Sequence, residues 1–236
     1  MSVILSTVRN QVKSFLDESG DTEWTPTEID QYINQRYHRV ATAVIGVFED
    51  YYLTTNTFAT VTDQQEYTSA HGVATDIFKI RRVEVNYDTS ISTNPAMRML
   101  RTEIDSIRNN LAQVDGMLGI GRTTNGSYYT YGHGSSRVFG FIPVPDKSQS
   151  NAIKIWYVKM LPDLSSDSSA LDIPYPERYW NLISVGAASD AWRQGGQNNS
   201  TADKLDAKFD AGIDLMQQEL EDMIAEDSRS VTEVIF

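Results

Sequence analysis

Apolar residues recur every three to four positions over four stretches of the chain, and alternate over several shorter ones. Val3, Ile4, Val8, Val12, Phe15 and Leu16 mark one face of a first helix. Thr25-Pro26-Thr27-Glu28 then predicts a helix start, with Thr25 as N-cap, Pro26 at the first helical position and Glu28 closing a capping box. Ile29, Ile33, Tyr37, Val40, Val44 and Phe48 carry that second helix to about Tyr52, and the two helices are expected to pack as a hairpin. A third stripe, Met97, Leu100, Ile104, Ile107, Leu111 and Val114, follows Asn94-Pro95. After Pro176, Tyr179, Leu182, Ile183, Ala187, Ala188 and Trp192 face inward, and the small residues Gly186 to Ser189 and Ala191 predict close packing on a neighbouring helix. A last helix, capped by Ser200 or Thr201, is expected to end near Ile224.

Between these lie strand-like runs. "NTFATVTDQQEYTS" predicts two short strands about an Asp-containing turn, and "DIFKIRRVEV" a further strand. In "RVFGFIPVPDKSQSNAIKIWYVKMLPDLS" two apolar runs flank a polar connector of about six residues, which predicts a β-hairpin. Its second run sets Ile153, Ile155 and Tyr157 on one face against Lys154, Trp156 and Val158 on the other. The Gly- and Tyr-rich segment from Gly116 predicts a loop or loose hairpin, in which "YYTYG" leads as a strand toward Val138. "SSDSSALDIPYPERY" predicts an exposed connector.

The fold class expected is α+β, mainly helical: an antiparallel helix bundle with inserted short β-hairpins and an extended C-terminal tail. Residues 1–227 form the main domain, with bundle helices in about 3–52, 95–115, 176–194 and 201–225 and β-rich insertions at 57–90 and 125–163. Residues 228–236 form the tail.

Composition narrows what such a chain does. Its 236 residues, 40% hydrophobic, suffice for a core. No run approaches a membrane span, and the first twenty residues lack a signal-peptide pattern. The absence of cysteine removes disulfide and thiolate chemistry and fits a reducing compartment. The formal net charge is -12, and residues 203–233 hold ten acidic residues against Lys204, Lys208 and Arg229. A surface this acidic disfavours wrapping nucleic acid, whose binding depends on neutralising phosphates, but suits DNA that passes without being gripped.

Candidate chemistry is sparse. "GMLGIG" follows a helix-like run, and no Gly-Lys-Ser/Thr follows it, so it reads as a loop. His38, His71 and His133 lack metal-ligand spacing. "DLSSDSSALD" lacks the central glycine and terminal glutamate of a calcium loop. There is no G-x-S-x-G elbow, and the carboxylates sit on polar helix faces or in turns. Neither a catalytic, a cofactor nor a metal site is expected. Two features remain: Tyr128, Tyr129 and Tyr131 in a Gly-rich segment that a single subunit would hardly bury, and an apolar end, Val231, Val234, Ile235 and Phe236, that either frays or docks by strand addition or into a groove.

The order of these elements resembles the head-to-tail adaptor proteins of tailed bacteriophages. Four segments carry the resemblance: "WTPTEIDQYINQRYHRVA" with its Ile33-Asn34 step; "FATVTDQQEYT", a short t-x-x-Q-x-x-Y hairpin; Pro143-Val144-Pro145-Asp146 followed by "IKIWYVKMLPDLSSD"; and "PERYWNLISVGAASDAWRQGG". The resemblance implies a structural, non-enzymatic virion protein. It implies a ring of about twelve copies between the capsid portal and neck or tail proteins, with double-stranded DNA crossing the lumen and no membrane partner. It places the protein at the neck of the virion, and in host cytoplasm during assembly. The alternatives are another neck or baseplate protein, or an α+β protein-binding module. Within the ring reading, Val231, Val234, Ile235 and Phe236 are the expected portal-docking tail. Asp146, Lys147, Tyr128, Tyr129 and Tyr131 are the expected ring-contact loops, and Asp203, Asp206, Asp210 and Asp214 the expected acidic lumen residues.

Overall fold

The computed structural model describes residues 3–17, 23–86, 97–104, 126–195 and 199–232. The chain divides into two units, a helical one from Met1–Tyr51 with Leu161–Phe236 and a β-rich one from Tyr52–Met160. The class is mixed α+β with helix dominant.

In the helical unit, α1 spans Leu5–Phe15, α2 Pro26–Val47, α3 Pro176–Gly195 and α4 Asn199–Thr232. The start of α2 is as the sequence predicts: the Glu28 amide donates to Thr25 Oγ1 at 3.3 Å, and the Thr25 amide donates to Glu28 Oε2 at 2.9 Å. Ile29, Ile33, Tyr37, Val40 and Val44 are buried along one stripe. The helix ends at Val47 rather than near Tyr52, and Glu49–Tyr52 tightens into a 3-10 turn. Gly46 and the β-branched residues Val44, Ile45 and Val47 weaken the last turn, which closes on the Phe48 amide donating to the Val44 carbonyl at 2.7 Å.

Helix α1 has no side-chain cap. The Leu5 and Ser6 amides instead donate to the carbonyls of Ser169 and Asp167, at 2.9 and 3.2 Å. The segment expected as an exposed connector is therefore the cap of α1, and it buries Leu171 and Ile173. Helices α3 and α4 approach closely, as the small residues predict: Ser184, Ala187, Ala188, Ser189 and Ala191 are fully buried. A Cβ at Gly212 would lie 2.1 Å from Leu182 Cδ2. Helix α4 starts at Asn199 and continues to Thr232, well past Ile224, so most of the segment expected as an extended tail is helical in its backbone. Residues 233–236 lie outside the described residues.

Among the described residues, the β-rich unit holds eight strands: β1 Leu53–Thr60, β2 Glu66–Tyr67, β3 Ile77–Val85, β4 Met97–Arg98, β5 Leu100–Arg101, β6 Ser127–Tyr131, β7 Val138–Ile142 and β8 Gln149–Lys159. They form two sheets of four, ordered β1-β8-β3-β4 and β2-β7-β6-β5. Three expectations change here. The runs β7 and β8 are not a hairpin; they lie in different sheets, and the polar connector steps from one to the other. The runs β1 and β2 likewise pair with β8 and β7, not with each other. The reason is burial: Phe58 of β1, Tyr67 of β2, Phe141 of β7 and Ile153 and Ile155 of β8 all enter one core. Pairing successive runs side by side would leave half of that set without a facing layer.

The third change concerns the helix expected from residue 95. Met97–Arg98 and Leu100–Arg101 are strands, with Met99 buried and Arg98, Leu100 and Arg101 exposed. The stripe at Met97, Leu100 and Ile104 has helical spacing, but three positions are too few to outweigh strand pairing, and the Met99 amide donates to the Val83 carbonyl. Ile107, Leu111 and Val114 lie outside the described residues.

Candidate interaction surfaces

Four arginines organise the charge of the helical unit. Arg36 on α2 is 6% exposed and forks onto Asp190 of α3, with Nε 2.5 Å from Oδ2, while its Nη1 forms an ion pair with Asp206 of α4 at 2.8 Å. Arg193 reaches Asp203 and Asp206, each at 3.0 Å, and Arg39 reaches Asp210 at 2.8 Å. The guanidinium groups of Arg36 and Arg39 lie over the Phe209 ring at 4.8 and 5.2 Å. Arg9 forks onto Asp30 at 2.7 Å and contacts Asp167, tying α1 to α2 and to its own capping segment. Burial pushes the Asp206 carboxyl up, but Arg36 and Arg193 outweigh it and hold the group below the usual carboxylate range.

Of the acids expected at a lumen, Asp203, Asp206 and Asp210 are thus engaged by arginines of their own subunit. Their charge is largely compensated locally. Asp214 is exposed and lies beside a shallow concavity with Arg39, Thr42 and Gln217.

The sequence motifs meet one another in space. Asn34, one residue after Ile33, donates through Nδ2 to the Leu164 carbonyl at 3.2 Å and accepts from the Leu164 amide at 2.7 Å. His38 contacts Asp163 at 2.6 Å. The asparagine therefore clamps the Leu161–Leu164 turn as a strand partner would. Tyr67 closes the Gln/Tyr turn: its hydroxyl accepts from the Val61 amide at 3.0 Å and donates to the Val61 carbonyl at 3.2 Å. What reads as a hairpin signature is a turn sealed by a tyrosine side chain.

A second rigid element is the tip formed by residues 60–64 and 143–149. The Asp63 amide donates to the Pro145 carbonyl at 2.9 Å, and Thr60 Oγ1 donates to the Lys147 carbonyl at 2.9 Å. The Thr62 amide donates to Ser148 Oγ at 2.9 Å, and the Gln149 amide to Thr60 Oγ1 at 3.2 Å. Asp63 takes a left-handed φ of 60°, which aspartate tolerates better than most residues. Asp146 and Lys147 are exposed on this tip, beside Val61 and Val144.

The tyrosines divide. Tyr128 and Tyr129 belong to β6 and are buried, so they are sheet core and not loop residues. Tyr128 stacks on Phe139, and the Tyr129 hydroxyl donates to Glu66 Oε1 at 2.9 Å. Only Tyr131 of the three is exposed, at 42%, and its hydroxyl donates to Glu66 Oε2 at 3.0 Å. The missed signal was Gly140, whose lack of a side chain makes room for the Tyr129 ring.

These geometries clamp, cap and brace; none converges on a reacting group. Among the described residues, no helix is long and apolar enough to cross a membrane. A family model described as SU10 adaptor protein matches residues 4–232. The chain belongs to the SU10 adaptor family. Its role is therefore structural and not enzymatic: a bacteriophage head-to-tail connector, located at the virion neck, whose partners are portal and neck components. The match spans both units of the adaptor, and the Asn34 clamp, the Tyr67 turn and the tip all fall inside it. No curated protein matches the adaptor's sequence.

Proposed function

We propose that the adaptor assembles as a ring of about twelve copies between the capsid portal and the neck or tail. DNA crosses its lumen without sequence-specific contacts. The observation that carries this reading is the family match across residues 4–232. Charge supports the passive channel. The helical unit holds 23 Asp and Glu against nine Lys and Arg, whereas residues 52–160 hold nine against eleven. A lumen lined by the helical unit repels phosphate, and after the internal pairing of Asp203, Asp206 and Asp210 the repulsion falls to exposed acids such as Asp214 and Asp222. The braced tip bearing Asp146 and Lys147, together with Tyr131, presents contacts to an adjoining ring.

The C-terminal segment docks on the portal in this reading. Burying Val231, Val234, Ile235 and Phe236 contributes about 1.5–3 kcal/mol for each large side chain. Ordering costs about 1–2 kcal/mol per residue, and the helical backbone through Thr232 removes part of that cost before binding. A ring engages its partner at every copy, so a small gain per tail becomes a firm attachment. Deleting residues 228–236 is expected to leave the thermal unfolding of the subunit nearly unchanged and to abolish attachment to portal-bearing capsids, read as adaptor occupancy at the neck by electron microscopy. Normal occupancy of the truncated protein would remove the tail from the interface. Necks imaged with a single copy would remove the ring.

A further inference from the structure

Among the described residues, four strands lie at sheet edges, and they are not alike. β2, β4 and β5 are two residues each, whereas β1 runs over eight, Leu53–Thr60. Leu53 to Phe58 pair with Val158 to Ile153 of β8 without interruption. On the other side, the amides and carbonyls of alternate residues point away from β8, as in any antiparallel strand. Among the described residues, β8 is the only strand paired with β1, and no backbone hydrogen bond from elsewhere in the chain reaches it.

Proteins blunt long edges with charges, prolines or bulges, because the open backbone groups recruit further strands. β3 shows these devices. Where it runs beyond its pairs with β4 at Glu84 and Val85, it carries two register shifts and Lys79, Arg81 and Arg82. β1 carries none of them over Leu53–Phe58. It holds no charged residue and no proline, and its one register shift falls at Ala59. Its outer face offers Leu53, Thr55, Thr57 and Ala59, all exposed, and threonine suits strand pairing. The other face is tied down: Asn56 Oδ1 accepts from the Ala74 amide at 3.2 Å, and Asn56 Nδ2 donates to the Gly72 carbonyl at 3.1 Å. The strand is held in place while its edge stays open.

We infer that the open edge of β1 receives an extended segment of a neck protein, which joins the four-stranded sheet as a fifth strand through backbone hydrogen bonds. The segment is expected to be about six uncharged residues long, with β-branched side chains at alternate positions to match Thr55 and Thr57 across the pair. A second copy is a poorer occupant. Its matching long edge is β1 itself, and β1 on β1 makes a two-fold pair that a head-to-tail ring excludes. Continuity favours the neck as well: β1 ends at Thr60, where the braced tip begins, and Thr60 Oγ1 donates to the Lys147 carbonyl of that tip. The tip is proposed above to meet an adjoining ring, and the C-terminal segment is given to the portal, so the neck is the partner left for this edge. The contact rests on that reading and names the backbone that makes it.

Hydrogen exchange of the full-length adaptor reads the edge directly. Portal-bearing capsids carrying the adaptor are compared with the same particles after the neck and tail proteins of the virion are added. Amides within Leu53–Phe58 that point away from β8 are expected to exchange at least about tenfold more slowly once the neck is joined. Thr55→Lys and Thr57→Glu each place a charge on the edge, and each is expected to lower neck attachment about tenfold, whatever its sign. Thr55→Val and Thr57→Val keep the pairing and should attach normally. Both positions are exposed, so thermal unfolding should change little in any of the four. Unchanged exchange over Leu53–Phe58 on joining the neck overturns the strand contact and leaves the ring standing. Protection already present before the neck is added gives the edge to the portal or a second copy, and overturns it too. Loss with Thr55→Lys but gain with Thr57→Glu replaces strand addition by charge pairing. Attachment lost equally in the valine variants replaces it by a contact through the hydroxyls. Single adaptor copies at the neck, with β1 still protected, overturn the ring and leave the strand contact standing.

Discussion

Arg36→Met is expected to destabilise the helical unit by about 3–5 kcal/mol, the cost of breaking a buried ion pair from one side. The arginine joins three helices through Asp190 and Asp206, and its stem also fills space: a Cβ on Gly186 would lie 2.9 Å from Arg36 Cδ. Methionine replaces much of that stem but removes the cation that Asp190 and Asp206 share, leaving Asp206 only Arg193. The pH dependence separates this from a packing defect. Asp206 is held below its ordinary range in the folded protein, so its contribution is fully present above its unfolded-state value. That contribution is lost as pH falls through the depressed folded-state value. The wild type thus loses this contribution in acid. In Arg36→Met the main partner is gone and burial pushes Asp206 up, so protonation relieves the variant. The deficit seen in urea unfolding followed by circular dichroism should be largest near about pH 7 and shrink toward about pH 3. A triple variant that also carries Asp190→Asn and Asp206→Asn should recover part of the loss at neutral pH. A deficit independent of pH would make Arg36 a packing residue only.

The legibility of this fold in the sequence follows the range of the interaction that decides each element. The capping box at Thr25 and the buried stripe of α2 are local, and both are where the sequence places them. The small residues of α3 encode a close helix contact, because only Gly, Ala and Ser fit such a gap. The longer strands were legible as strands, since alternation in β8 is also local, whereas the two-residue strands at 97–101 read as the start of a helix. Their partners were not. Nothing within Val138–Met160 states that its two runs belong to different sheets; that depends on Phe58 and Tyr67, some 70 residues or more upstream, meeting Phe141 at 6.3 and 5.4 Å. The same limit hid the purpose of Asn34, whose partner Leu164 lies 130 positions away. It hid the burial of Tyr128 and Tyr129 as well: "YYTYG" was legible as a strand, but its glycine-rich surroundings suggest exposed contact residues until Gly140 is seen beneath an aromatic ring. The interaction surfaces were least legible of all. Exposed charges signal a balance, and the structure was needed to show that Asp203, Asp206 and Asp210 are already engaged.

Gly140→Ala is expected to destabilise the β-rich unit by about 1–3 kcal/mol, the usual penalty for forcing extra volume into a packed site. In register, Gly140 of β7 lies between Glu66 of β2 and Tyr129 of β6. The Tyr129 ring crosses over the glycine so that its hydroxyl reaches Glu66 on the far strand, and Tyr131 stacks alongside at 6.4 Å to reach the same carboxylate. A Cβ at position 140 would lie 1.9 Å from Tyr129 Cζ and 2.4 Å from its hydroxyl oxygen. The ring must leave, and its hydrogen bond with it. Against this, alanine recovers about 0.5–1 kcal/mol of the entropic cost of a glycine in a regular element, which is too little to offset the clash. Tyr129→Phe removes only the hydrogen bond and should cost about 0.5–1.5 kcal/mol. The decisive comparison is Gly140→Ala in a Tyr129→Ala background. With no ring to displace, the added methyl should be neutral or mildly stabilising in thermal unfolding. The tyrosine titration gives an independent reading: burial first, then the bond to Glu66, pushes the Tyr129 hydroxyl well above its ordinary range, and Gly140→Ala should bring it down. If alanine at position 140 costs the same with or without Tyr129, the glycine serves the backbone and not the ring. The β7 strand runs into the tip that carries Asp146 and Lys147, so a displaced ring should also lower neck occupancy through a misplaced tip, an effect that Tyr129→Phe should not share.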